Sequence, residues 1–124
     1  MRRAIGRTLR RRQDFRSAYE RGTAVRLNCA VLINLSTEVG VTRTAVVASR
    51  KVGNAVRRNR AKRLLREAER KLISGVEQKS IDLILIARPA IRGLSGAEVL
   101  DEVRRLYAMA GLLRRAADES PRCA

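Results

Sequence analysis

The sequence has no histidine and no tryptophan, and its aromatic residues are Phe15, Tyr19 and Tyr107 alone. Without histidine the commonest general base is missing, and a zinc site of the usual nitrogen–sulfur type cannot be assembled. Cys29 and Cys123 are the two cysteines and form no metal-like pair. Cys29 lies in an apolar run and reads as a small buried hydrophobe, and nothing in the spacing suggests a secreted disulfide scaffold. Acid is scarce as well: 12 Asp and Glu, scattered along the chain. A nuclease that holds its own Mg²⁺ needs converging carboxylates. Glu98, Asp101 and Glu102 do share a helix start, but acids are favoured there by the helix dipole anyway. Ser17 and Ser95 have no visible base partner, so no catalytic residue and no metal site is expected from the side chains. No apolar run is long enough for a transmembrane helix. Met1 to Arg12 is basic with no apolar stretch behind it, unlike a signal peptide. The expectation is a cytoplasmic protein that does not engage membrane.

What the chain does have is positive charge. Its 124 residues suit one domain, and they carry 28 Lys and Arg, for a formal net charge of +16. Self-repulsion of that size costs stability unless a polyanion screens it. Arginine dominates, and its planar fork matches phosphate with two parallel hydrogen bonds. Nucleic acid is therefore the expected partner class. Hydrophobic residues make up 45%, enough for a modest core, which must be built from Leu, Ile, Val and Ala.

The pattern along the chain divides it into a basic arm over residues 1–11, one domain over 12–113 and a polar tail over 114–124. Residues 12–21 read as a short helix with Phe15, Ala18 and Tyr19 on one face, stopped by Gly22. Residues 24–35 read as strand, interrupted near Leu27 and Asn28. A turn over 36–40 leads to a second strand over 42–49, and the two are expected to pair antiparallel. Residues 53–73 carry the longest helical pattern. Residues 74–80 form a loop, and 81–87 read as a buried strand ended by Arg88-Pro89. Ser95 to Glu98 match a capping box, opening a helix whose apolar face holds Val99, Val103, Leu106, Tyr107 and Ala110, with Gly111 as stop. The class is α+β, with helices layered on a small sheet.

The informative segment runs from Ser49 to Lys71. At about 100° per residue, Ala61, Leu64, Leu65, Ala68 and Leu72 fall roughly 140° to 240° from Asn59. Arg60, Lys62, Arg63, Arg66 and Arg70 cluster on the opposite side around Asn59. Arginines so spaced repel one another and weaken an isolated helix; a phosphate backbone laid along them removes that cost and releases counterions. A merely solvated face would interleave Glu with Lys, whereas here only Glu67 and Glu69 interrupt, both toward the flanks. Gly53-Asn54 precedes the helix, as either ordinary loop chemistry or a close approach followed by an N-cap.

Lys51, Gly53, Asn54, Ala55 and Val56, then Arg58-Asn59-Arg60, Lys62-Arg63 and Arg66-Glu67, resemble the RNR signature of the bacterial ribonuclease P protein family. Asp14-Phe15, Tyr19 and Gly22-Thr23 resemble that family's first helix and the turn after it, and Ala87-Arg88-Pro89 its last strand. The likeness covers about residues 9–113. It implies an α-β-β-β-α-β-α fold with a four-stranded sheet, similar to domain 2 of ribosomal protein S5, and an uncommon left-handed crossover. It implies a role as protein subunit of ribonuclease P in tRNA processing: an endoribonuclease, hence a hydrolase, whose chemistry and Mg²⁺ ions belong to the RNA subunit. The implied partners are ribonuclease P RNA and the 5′ leader of precursor tRNA, with one protein per RNA. On these positions, Lys51, Asn54, Arg57, Arg58, Asn59, Arg60, Lys62, Arg63, Arg66 and Arg70 would meet the catalytic RNA. Phe15, Tyr19, Arg16 and Ile33 would line a leader-binding cleft.

For Phe15 and Tyr19 the residues leave two readings open: a stacking platform for unpaired bases, or part of the core. The chain also departs from the family, which often carries aromatics where this one has Ala30, Ile33 and Glu69. Two other functional classes fit the composition, a structural RNA-binding protein such as a ribosomal protein and a basic DNA-binding protein.

Overall fold

The computed structural model describes residues 7–76 and 80–113. Five strands and three helices alternate: β1 (Arg7–Thr8), α1 (Arg12–Arg21), β2 (Thr23–Arg26), β3 (Ala30–Ser36), β4 (Arg43–Val47), α2 (Ala55–Leu72), β5 (Ile81–Ala87) and α3 (Gly96–Met109). Each helix boundary has a local cause. Asp14 in the first turn of α1 and Arg21 in its last complement the helix dipole. Gly22 ends α1 with φ −77°, outside the left-handed region; glycine is needed because a Cβ would sit 2.4 Å from the Ala18 carbonyl and 2.8 Å from that of Asn34. The Asn54 side chain accepts from the Arg57 amide at 3.0 Å and starts α2. The box at Ser95 and Glu98 closes reciprocally at 2.9 and 3.2 Å. Gly111, at φ +76°, takes the left-handed turn that stops α3.

The sheet order is β1-β4-β5-β3-β2. The stretch read as one interrupted strand over 24–35 is a hairpin, β2 against β3, antiparallel. The expected antiparallel pairing of that stretch with the strand near 42–49 does not occur, because β5 lies between them, antiparallel to β3 and parallel to β4. The physical reason is hydropathy. In Ile-Asp-Leu-Ile-Leu-Ile-Ala every residue but Ile86 is buried, and only an interior strand covered on both faces offers that environment. Parallel pairing of β4 with β5 needs a crossover, which α2 supplies. The four-stranded sheet expected from the family resemblance is thus present, with β1 added as a two-residue edge. The domain expected from residue 12 thus takes in part of the expected arm as well: Thr8 pairs with Thr44, the Leu9 amide donates to the Thr44 carbonyl at 2.8 Å, and Leu9 is buried. The rest of the expected arm and the expected tail over 114–124 lie outside the described residues.

The two faces of the sheet are unequal. On one, α2 and α3 pack Leu65, Ala68, Leu72, Val99, Val103, Leu106 and Tyr107 against Leu32, Leu83 and Leu85 in the main core. Each fully buried aliphatic side chain there contributes about 1.5–3 kcal/mol. On the other, a smaller cluster of Leu9, Ala18, Ile33 and Ile84 sits beneath α1. That second face is covered only in part, and this asymmetry positions the site.

Candidate nucleic-acid interface

The register lays the second face out in rows. Leu35, Asp82 and Arg43 form one, Ala24, Ile33, Ile84 and Ala45 the next, and Arg26, Val31, Ile86 and Val47 the third. α1 is tied over the first row by charge. Arg43 donates to Asp82 through Nε and Nη2, both at 2.8 Å, and to Asp14 of α1 through Nη1 at 3.0 Å. The Asp82 bonds, foremost, and both carboxylate charges hold the Arg43 guanidinium above its ordinary pKa. The second row is buried under Ala18 and Phe15 at Ile33 and Ile84, whereas Val31, Val47 and Ile86 of the third stay partly open. The result is an apolar cleft with α1 as one wall and its open end toward Arg26.

Phe15 and Tyr19 lie one turn apart on that wall, their ring centroids 6.4 Å apart and their planes inclined by 29°. Phe15 packs on the second cluster, as the core reading has it, and Tyr19 is 49% exposed. Partial burial raises the Tyr19 phenol above its usual pKa. Arg16 is exposed on the same helix. Ile33 is placed differently from expectation, 8% exposed beneath α1, and Ala30 is buried in the main core on the opposite face. The accessible floor is Val31, Val47 and Ile86 instead.

The basic helix shows its predicted face. Ala61, Leu65, Ala68 and Leu72 are buried, while Asn59, Arg63, Arg66 and Arg70 are exposed along one line. Lys51, Asn54 and Arg57 are exposed at its entrance, and Arg58, Arg60 and Lys62 flank the line half-buried. Two of these guanidinium groups are also structural: Arg60 donates to the Leu94 carbonyl at 2.9 Å and Arg58 to that of Gly53 at 3.2 Å. Arg70 stands 3.6 Å from Glu67, an exposed pair of small energetic weight. Gly53 has φ +142°, a conformation open to glycine, and the Arg57 stem lies against it.

Periodicity does not single out arginines 26, 88 and 92, yet all three are exposed, Arg26 in the third row of the sheet. Arg88 donates to the Leu27 carbonyl at 3.0 Å and Arg92 to that of Val52 at 3.3 Å, so both brace loops bordering the cleft and the start of α2. The alternation of β2 could have flagged Arg26; the other two depend on contacts made only in three dimensions. Among the described residues no three acidic or cysteine side chains converge to hold a metal ion, and Asp14 and Asp82 are committed to Arg43. No helix among them is long and apolar enough to cross a membrane.

A stripe of guanidinium groups beside a half-open apolar cleft is equipped to hold phosphate on one surface and unpaired bases on the other. The chain is similar to proteins of one family. Residues 5–111 match the model of the Ribonuclease P family. A ribonuclease P protein component from Symbiobacterium thermophilum is 42% identical over 108 residues, covering 86% of this chain and 93% of that protein. One from Clostridium kluyveri is 36% identical over 107 residues, covering 86% and 96%. Among solved structures, the Staphylococcus aureus RNase P protein superposes with a TM-score of 0.78 at 24% identity, covering 88% of this chain and 99% of that one. The Thermotoga maritima protein gives 0.72 at 26%, covering 82% and 94%. The chain belongs to the ribonuclease P protein component family.

Proposed function

We propose that this chain, as the protein partner of ribonuclease P RNA, lays α2 along that RNA and holds the single-stranded 5′ leader of precursor tRNA in the cleft beside α1. The observation that carries this reading is the separation of two surfaces on one small domain: a line of exposed arginines on α2, and an open-ended cleft with a ring pair on its wall. Arg63, Arg66 and Arg70 would neutralise backbone phosphates. Phe15 and Tyr19 would stack unpaired bases without regard to sequence, over a floor of Val31, Val47 and Ile86. Arg26, Arg88 and Arg92 would meet the leader backbone at the open end.

Hydrolysis of the leader bond belongs on this reading to the RNA subunit, which together with substrate would bind the Mg²⁺ ions. Among the described residues, the acids nearest the cleft, Asp14 and Asp82, are already paired with Arg43. The protein raises substrate affinity by adding leader contacts and lowers the Mg²⁺ needed by screening phosphate. One protein per RNA and a cytoplasmic setting complete the proposal.

Reconstitution with bacterial ribonuclease P RNA at low Mg²⁺ tests it. The chain should restore leader cleavage. Phe15→Ala should cost about 1–3 kcal/mol of preference for precursor over mature tRNA. Arg63→Ala should leave that preference intact and reduce the salt dependence of RNA binding by about one phosphate contact. No gain in cleavage on adding the chain, or an unchanged salt slope, would count against this assignment.

A further inference from the structure

A cavity of about 460 Å³ opens between the second half of α2, strand β4 and the start of α1, within the range of small-ligand sites, about 300–1,000 Å³. Its lining includes Leu9, Phe15, Thr44, Arg66, Glu69 and Arg70. It shares Phe15 with the wall of the leader cleft, contains no residue of the third row, and borders the arginine line of α2. Glu69 sets a carboxylate acceptor into a lining that is otherwise apolar, hydroxylic or cationic.

That carboxylate is unusual for its setting. Glu69 is half-buried, and burial pushes its carboxyl above the usual range against the opposing influence of the neighbouring Thr44 hydroxyl, Arg70 and Arg66. Among the described residues neither guanidinium pairs with it directly. Behind it lies the buried Tyr107, whose hydroxyl has no partner among the described residues. A carboxylate with no direct ion pair, beside a surface built for a polyanion, repels that polyanion unless it accepts hydrogen bonds from it. Arg66 and Arg70 stand one helical turn apart, about 5–6 Å between Cβ atoms, a spacing that lets both donate to one phosphate.

We propose that this cavity takes one unstacked nucleotide of an RNA, with its phosphate on Arg66 and Arg70, its base against Phe15 and Leu9, and an exocyclic amine donating to Glu69. Adenine, cytosine and guanine carry such an amine. Uracil offers one ring N–H flanked by two carbonyl oxygens that a carboxylate repels. The site therefore discriminates against uracil, and against phosphate alone. The proposal rests on the RNA-binding reading above, and the nucleotide belongs either to the leader or to the catalytic RNA.

The test is a nuclear magnetic resonance titration of the full chain with AMP, CMP, GMP, UMP and inorganic phosphate, which requires no holoenzyme and so stands or falls separately from the reconstitution assay. The amides of Thr44, Glu69 and Ser74 should respond to the three amine-bearing nucleotides, with affinity about fivefold above UMP or phosphate, as expected for one added hydrogen bond. Glu69→Phe, which fills the cavity, should abolish these responses. Thr44→Val, which keeps the strand's shape and releases the carboxylate, should erase the preference, with both variants checked for an intact thermal transition. Equal binding of all four nucleotides, the same shifts with phosphate alone, or an unchanged preference in Glu69→Phe overturns the proposal. In the reconstituted complex Glu69→Phe then identifies the source. Weaker binding of precursor tRNA alone points to the leader, and weaker binding of the catalytic RNA alone points to that RNA. A change in neither also overturns it.

Discussion

Removing Asp82 should be the most damaging single change on the cleft side of the sheet. Its carboxylate is 2% exposed and accepts two 2.8 Å bonds from Arg43, whose side chain is 17% exposed. Asp14, which accepts the third bond, is 20% exposed. Deleting one partner of a buried ion pair costs about 3–5 kcal/mol because the other charge is stranded. Water reaches Arg43 in part, so Asp82→Ala belongs at the lower end, about 3 kcal/mol. Asp14→Ala removes a single bond at a wetter position and should cost about 1–1.5 kcal/mol. For a domain of this size about 3 kcal/mol lowers Tm by roughly 9–15 °C. Because both carboxylates share one guanidinium, the double variant should depart from additivity by about 0.5–3 kcal/mol. Urea unfolding at fixed ionic strength, with the slope m unchanged, measures all three. An Asp82→Ala loss below about 1 kcal/mol, or an Asp14→Ala loss equal to it, would refute this account of how α1 is held.

Two further expectations concern the main core. Tyr107 is fully buried and its hydroxyl lacks a partner among the described residues, so Tyr107→Phe should leave stability unchanged or raise it by up to about 1 kcal/mol, read from the urea midpoint; a loss above about 1.5 kcal/mol would reveal a bond to that oxygen. Burial, reinforced by a hydrogen bond and charge from Glu102, pushes the Cys29 thiol up to about 12. The folded state thus disfavours the thiolate. Its contribution to stability is complete below the thiol's ordinary value near 9 and is lost as pH rises from there toward about 12. In a Cys123→Ser background, iodoacetamide at pH 8 should leave Cys29 unmodified until urea unfolds the chain, and rapid labelling of the folded protein would contradict its burial.

Elements whose cause is local were legible in the sequence. The period of Ala61, Leu65, Ala68 and Leu72, the box at Ser95 and Glu98, and the nearly continuous apolar run from Ile81 each fix an element without reference to the rest of the chain. Strand order was not legible, because pairing depends on which surfaces remain to be covered once the helices dock. The composition of β5 held a clue to its interior place, since six of its seven residues being buried leaves no edge position open to it. Arg43 reads locally as one more surface arginine between two threonines; its partners are 29 and 39 residues away. Of the interface, the arginine line of α2 followed from periodicity, and the two rings of α1 from their spacing. The accessible floor at Val31, Val47 and Ile86 required the register of three strands. The cavity at Glu69 required the packing of α2 against β4.

The strand order also governs when this molecule can take shape. β5, which joins β3 to β4, is the last of the described strands to leave the ribosome, so β3 and β4 wait without their shared neighbour until residue 87 is available. A nascent chain ending before Ile81 holds the arginine helix and the β2–β3 hairpin but has no sheet to pack them on. Folding therefore waits for β5 and relies on distant contacts, which slow it. Until then a strongly cationic, partly apolar chain is exposed to any polyanion nearby.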